Sequence, residues 1–326
     1  MVLVTNVTIA MICCIYCCIC WGSWGNTQKL VQKKDWKSFL FYWDYIAGFF
    51  LTSLLGMLLF NGGNFFAGGI STTSLLWAAA GGLVWNFANI FLTAANGIAG
   101  MSVGFPIGGG LGWVGGIVFN YFFVDTTHGN EVMLWTGVVL AVAAMVLSGV
   151  SYSRLAGKEK KSPVAGIIFA IISGFGFAFF YGFVVKATAP EFGGVGTLTP
   201  YEAVFLFGLT VLISTFFLNP IAMRHSVEGR QTMKQYFQNG DTRTHLIGML
   251  GGFIWMSGMV ISFMTAGAAV NKAVSYALSN ASPLVAMIWG VLIWKEFKNA
   301  PAGTNKYVYA MFFCFLAALV LIAASN

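Results

Sequence analysis

Five asparagines carry the first chemical signal in this sequence. Asn86, Asn89 and Asn96 fall in one long apolar run, and Asn271 and Asn280 lie in another. An amide in hydrocarbon is costly unless it is paired or faces water. Asn86 and Asn89, three apart, share one face of a helix, so they are expected to turn together toward a wet cavity. Trp21, Trp24, Trp85 and Trp255 also stand in apolar runs. An indole offers a flat apolar face and one N–H donor, which suits the faces and hydroxyls of a sugar or a planar ureide. The expected solute-binding set is Trp21, Trp24, Asn86, Asn89, Phe105, Trp255, Asn271, Tyr276 and Asn280. Trp36, Trp43 and Trp294 are read instead as interfacial anchors, and any one spanning tryptophan could equally be core packing.

Coupling to an ion gradient needs a group whose charge can change. Asp44 and Glu202 are the candidates, because they stand near the starts of corresponding apolar runs, with Lys272 a third ionisable group at the start of a later run. The plain alternative is an interfacial carboxylate or a lysine snorkelling to the headgroups. His128, His225 and His245 lie in or beside loops, so no histidine relay is expected. Five of the six cysteines, Cys13, Cys14, Cys17, Cys18 and Cys20, crowd the first apolar run without a His, Asp or Glu to complete a metal site, and are read as packing residues. Gly110-x-Gly112-x-x-Gly115 matches a dinucleotide fingerprint, but no strand precedes it. With Gly104, Gly108, Gly112 and Gly116 at every fourth position, it reads as a helix-packing stripe. No nucleophile elbow, metal quartet or phosphate-cradling loop is found, so neither an enzyme nor a cofactor is expected.

The elements that must position these groups follow from composition. Apolar residues make up 58% of the 326 and charged residues 8%, against roughly 45–50% and about 25% in soluble domains. Such a chain belongs in a lipid bilayer. Runs of about 20 apolar residues, the length of one span, fall at 2–22, 43–60, 71–94, 97–123, 132–153, 164–186, 200–219, 245–266, 269–294 and 307–324. The first lacks the basic flank and small-residue cleavage site of a signal peptide and is read as a retained span. The net charge of +7 resides in four clusters: Lys29 to Lys37, Arg154 to Lys161, Arg224 to Arg243 and Lys295 to Lys306. They follow runs 1, 5, 7 and 9 and so fall on one side, which excludes nucleic-acid binding as the use of that charge and places both termini outside the cytoplasm.

The chain also repeats itself. Gly81-Gly82-Leu83-Val84-Trp85 returns as Gly251-Gly252-Phe253-Ile254-Trp255, an offset of 170 residues. Pro106 and Pro283, and the starts marked by Asp44 and Glu202, stand at similar offsets. Two halves with five spans each must be inverted relative to one another, an arrangement that alternates access around a midplane site. The expectation is an all-α membrane protein of ten transmembrane helices in two inverted five-helix repeats, 1–156 and 157–326. Pro106 and Pro283 are read as helix breaks bordering the site.

Ten spans, with Pro283 followed by Trp294-Lys295-Glu296, resemble the drug/metabolite transporter superfamily. Trp85-Asn86-Phe87-Ala88-Asn89, Gly100-Met101-Ser102-Val103-Gly104 and Lys295-Glu296-Phe297-Lys298-Asn299-Ala300 are similar to the rhamnose–proton symporter family. Cys20-Trp21-Gly22-Ser23-Trp24 and Tyr42-Trp43-Asp44-Tyr45 resemble the glucose/ribose porter and ureide permease families. The resemblance implies secondary active symport of a small neutral solute with a cation, H+ or Na+. A sugar is the first expectation; a ureide or nucleobase-type heterocycle, or an exporter of the same fold, is the alternative. A monomer or homodimer in a bacterial inner membrane is expected, the short loops leaning bacterial.

Overall fold

The computed structural model describes residues 1–31, 33–99, 101–125, 129–156 and 164–326, apart from the side chains of 97, 99, 101–103, 105, 106, 155 and 156. Apolar runs become helices because lipid offers the backbone no hydrogen-bonding partner. They are α1 (Val7–Ser23), α2 (Ser38–Phe60), α3 (Thr72–Ala99), α4 (Met101–Phe123), α5 (Glu131–Ala156), α6 (Val164–Ala187), α7 (Pro200–Arg224), α8 (Thr242–Met264), the segments α9a (Lys272–Ser279) and α9b (Ser282–Ile288), and α10 (Thr304–Ala324). Among the described residues no β-strand forms. Among the described residues eight spans are long and apolar enough to cross a membrane, whereas α1 and the 107–123 part of α4 are apolar but shorter. Local chemistry sets several starts. Asn6 caps α1, Asp241 caps α8 and Thr199 with Glu202 forms a capping box on α7.

The expected ninth helix is not continuous. α9a ends where the Asn280 N–H returns to the Tyr276 carbonyl at 2.9 Å, and α9b restarts at Ser282. Pro283 occupies the first turn of α9b, where its missing N–H costs nothing, so the break precedes the proline. A π-helical turn over Trp289–Ile293 follows. The backbone of Pro106 lies within α4, while its side chain is outside the described set.

Loop contacts define two faces. On one, Lys29 pairs with Glu296 and Lys33 with Asp241, both at 2.7 Å, while Arg154 donates to the Ala302 carbonyl at 3.0 Å. All four basic clusters therefore meet there, although Lys158, Lys160 and Lys161 lie outside the described residues. On the other face the Val2 N–H donates to the Phe60 carbonyl at 2.8 Å and the Asn130 N–H to the Ser325 carbonyl at 2.7 Å. Both termini are on this second face.

The helix pairings have an internal symmetry. α3 packs on α6 and α7, as α8 packs on α1 and α2; α4 lies against α6 as α9 lies against α1; and α2–α7, α4–α9 and α5–α10 pair across the middle. Exchanging each helix of the first five with its counterpart in the second maps this set onto itself. The repeated glycine pairs sit at equivalent crossings. A Cβ on Gly82 would come within 2.7 Å of the Phe207 carbonyl in α7, and one on Gly252 would collide with the Tyr45 carbonyl in α2. The glycine stripe of α4 is likewise a contact surface, with Gly108 and Gly112 facing α6 and Gly116 facing Tyr276.

Overpacking a close-packed contact costs about 1–3 kcal/mol, and more when backbone must move. Gly252→Leu is therefore expected to lower the thermal unfolding midpoint of the detergent-solubilised protein clearly. Gly149→Ala, where a Cβ meets open space, should leave it unchanged.

Candidate functional site

A cavity of about 70 Å³ opens at the centre of the bundle, beside the α9 break. It is lined by Trp21 and Trp24 of α1, Trp85 and Asn89 of α3, Gly112 and Trp113 of α4, Phe177 and Phe180 of α6, Trp255 of α8, and Tyr276, Asn280 and Ser282 around the break. The rings form one cluster across both halves. Trp21 stacks on Trp255 at 5.4 Å between centroids, and Trp85 meets Trp255 at 4.6 Å.

The lining divides into groups that hold the protein together and groups that do not. The Trp21 N–H donates to the Trp255 carbonyl and the Trp113 N–H to the Ala277 carbonyl, each at 2.9 Å. The Tyr276 hydroxyl lies 3.0 Å from the carbonyls of both Gly112 and Phe177. By contrast, among the described residues the indole N–H groups of Trp24, Trp85 and Trp255 meet no protein acceptor. Asn89 donates to the Tyr42 hydroxyl at 3.2 Å and Asn280 to the Tyr276 carbonyl at 3.1 Å, which leaves both amide oxygens open. The cavity thus presents N–H donors and carbonyl acceptors between aromatic faces, with no charged residue in its lining. Trp21 and Trp24 also border a larger space of about 290 Å³ that reaches Lys29, Tyr152 and Glu296 on the basic face.

Of the residues expected from the sequence, Trp21, Trp24, Asn89, Trp255, Tyr276 and Asn280 line this cavity. Asn86 does not. Fully buried, it accepts from Tyr42 at 2.7 Å and donates to Ser214 at 2.7 Å and Thr215 at 3.0 Å, tying α2, α3 and α7 together. Asn271 is at the face of the termini, where its N–H donates to Asn326, and the Phe105 side chain lies outside the described residues. Trp85, named for its ring and N–H donor but left out of the expected set, lines the cavity too, as do Trp113, Phe177 and Phe180, which were not singled out. Trp85 had a signal, since it is the repeat counterpart of Trp255. The other three had none, because aromatics in apolar runs are everywhere in this chain.

The titratable candidates have three different settings. Both oxygens of Glu202 are engaged, by Asn61 at 3.0 Å and the Phe66 N–H at 2.6 Å on one side and by the Thr199 N–H at 2.9 Å on the other. Phe66 has φ of 55°, a strained left-handed value, so Glu202 pins a loop. Lys272 starts α9a, its N–H and that of Ala273 held by the Asp125 carboxylate, away from the central cavity. Asp44 is 3% exposed and accepts from the Tyr236 hydroxyl at 2.6 Å, with His245 Nδ1 at 2.8 Å from the same oxygen. Burial, and then the Asp44 carboxylate, push the Tyr236 hydroxyl above its usual range, so it remains a donor. Nearby, Lys33 and the Thr244 N–H hold the Asp241 carboxyl below the usual carboxylate range. The cysteines of α1 pack on neighbouring helices, Cys17 donating to the Gly258 carbonyl at 3.0 Å. No metal-binding group of side chains occurs among the described residues.

A family model described as ureide permease matches residues 153–325, just over half of the chain. The chain belongs to the ureide permease family. Two relatives extend the likeness to the first half. Ureide permease 2 of Arabidopsis thaliana is 24% identical over 321 residues, and ureide permease 1 of the same plant is 25% identical over 312. Each alignment covers 78% of either chain. A solved crystal structure aligns over 98% of this permease and 100% of its own chain with a TM-score of 0.61, at 12% identity, a likeness of fold alone. Family membership makes the chain a multi-pass transporter rather than an enzyme. It supports the ureide permease part of the resemblance and not the sugar-porter or rhamnose–proton symporter parts, so the expectation of a sugar gives way to its alternative. These relatives are plant proteins, which removes the support for a bacterial membrane.

Replacing Tyr42 by Phe would leave the buried Asn86 oxygen without its donor and Asn89 without its acceptor. An unsatisfied buried group costs about 1–3 kcal/mol. Tyr42→Phe is accordingly expected to lower the denaturation midpoint in detergent, and Asn86→Ala to do so more strongly because it empties the centre of the three-helix tie.

Proposed function

We propose that this permease carries a small neutral heterocyclic ureide through the central cavity by alternating exposure of two inverted five-helix halves, 1–156 and 157–326. One observation carries the solute reading. Among the described residues, the indole N–H groups of Trp24, Trp85 and Trp255 and the amide oxygens of Asn89 and Asn280 have no protein partner, and they border one uncharged aromatic space. A ureide –NH–CO–NH– unit supplies the missing partners, its carbonyl for the indoles and its N–H groups for the amides, while its flat ring lies against the aromatic walls. The names of the relatives, ureide permeases 1 and 2, point the same way. The pairing symmetry of the helices and the matched glycine crossings support inverted halves. The gathering of basic loops on one face supports a cytoplasmic assignment for that face, with both termini opposite.

Purified protein in liposomes should take up labelled allantoin, a cyclic ureide, saturably, with unlabelled uracil competing and rhamnose not competing. Trp85→Phe keeps an aromatic wall but deletes one donor. It is expected to raise KM about tenfold, the effect of about 1.4 kcal/mol for one hydrogen bond to a buried polar group. Asn280→Ala should act in the same direction. Transport of rhamnose in place of allantoin, or an unchanged KM in both variants, would sink the assignment.

A further inference from the structure

Glu202 lies in the first turn of α7 and Asp44 further inside α2, and their surroundings differ in a way that bears on coupling. Glu202 has both oxygens occupied by donors of fixed position, two of them backbone N–H groups. Asp44 shares one oxygen between Tyr236 and His245, and its other oxygen is buried without a partner among the described residues. The position that corresponds to His245 in the first half is Leu75, so the second carboxylate has no imidazole to face. Carboxyl and imidazole within one hydrogen bond form a unit that holds a variable number of protons.

The carboxylate end of the unit is enclosed by three elements. α2 supplies Asp44, α8 supplies His245 and the close approach of Gly248, and the short helix Met233–Asn239 lays Tyr236 over the top. The Trp36 ring meets the edge of His245 at 5.2 Å. Lys33 and Asp241, the cap of α8, satisfy each other at 2.7 Å. His245 is 30% exposed against 3% for Asp44, so the imidazole is the route between the carboxylate and water on the basic face. Toward the cavity lies Tyr45, whose hydroxyl is buried without a partner among the described residues and whose ring stands 4.7 Å from Trp24.

Between the pair and the cavity, α2 and α8 cross with no side chain separating them. A Cβ on Gly48 would strike the Met249 carbonyl, and one on Gly252 the Tyr45 carbonyl. The close contact runs from Asp44 against Gly248 to Gly56 against Val260, so a shift of α8 along α2 that alters the Asp44–His245 distance also carries Trp255, further along α8, at the cavity. Resting on the transport reading above, we propose that Asp44 and His245 form the proton site of this permease, and that the glycine crossing of α2 and α8 links its occupancy to the solute cavity. Uptake of one proton raises the charge of the pair by one, and its release returns the pair to the starting state with no other group consumed.

Two measurements test this. In liposomes, an imposed pH gradient should drive wild-type accumulation of allantoin. Asp44→Asn and His245→Gln should each bring the accumulation ratio to about one, as for a carrier without a driving ion, while still exchanging labelled for unlabelled solute at equal pH. Gradient-driven accumulation persisting in Asp44→Asn overturns the proposal. So does loss of exchange in both variants, which marks the pair as structural. If the wild type exchanges no ureide, the solute reading has failed, and the second measurement stands on its own. Infrared difference spectra of the solute-free protein between about pH 8 and about pH 5, the range of physiological proton switches, should contain a protonated-carboxyl band that is missing in Asp44→Asn and shifted in His245→Gln. An identical spectrum in all three proteins overturns the proposal.

Discussion

A backbone N–H or carbonyl in hydrocarbon has no water to pair with, and this constraint governs the rest of the molecule. It turns each apolar run into a helix whose hydrogen bonds close within the run. It also restricts departures from helix to places enclosed by protein. The break at Asn280 to Ser282 is such a place, with the Tyr276 carbonyl taken by the Asn280 N–H and side chain, and the Ala277 carbonyl by Trp113. The cavity lies beside that break because polar groups freed from helix gather where protein surrounds them.

The same constraint sorts the asparagines. An amide inside a bundle must find partners, and those partners can be side chains or a solute. Asn86 has found four protein atoms and serves as a strut between α2, α3 and α7. Asn89, one turn on, keeps one end in the same network through Tyr42 and turns the other toward the cavity. Tyr42 is thus the point where the structural network meets the central cavity. An amide held by a residue that also holds the fold is positioned without a flexible loop.

Helix packing without a hydrophobic driving force relies on close approach of small residues. Glycine supplies it here at equivalent positions in both halves, Gly82 against α7 and Gly252 against α2. At both places the backbones approach closely along the helix contact, without side chains between them. The carboxylates of α2 and α7 have different settings. Glu202 is locked into a capping box and a strained loop, and Asp44 is shared with an imidazole.

Membrane residence, the positions of the helices and the gathering of basic loops on one face were legible in the sequence, because hydropathy and charge follow from composition along a line. The aromatic and amide character of the cavity was legible as well, and the repeat of Gly-Gly-x-x-Trp marked both Trp85 and Trp255. Other features depended on which helices become neighbours. Asn86 and Asn89 share a helix face, yet one is consumed by α7 and the other is not, since a difference of one turn decides what stands opposite. His245 looked like a loop residue, and only the packing of α8 on α2 set it against Asp44. Spacing along a chain determines which side chains face the same way; it does not determine which partner arrives on that face, and partners decide whether a buried polar group is structural or free to bind.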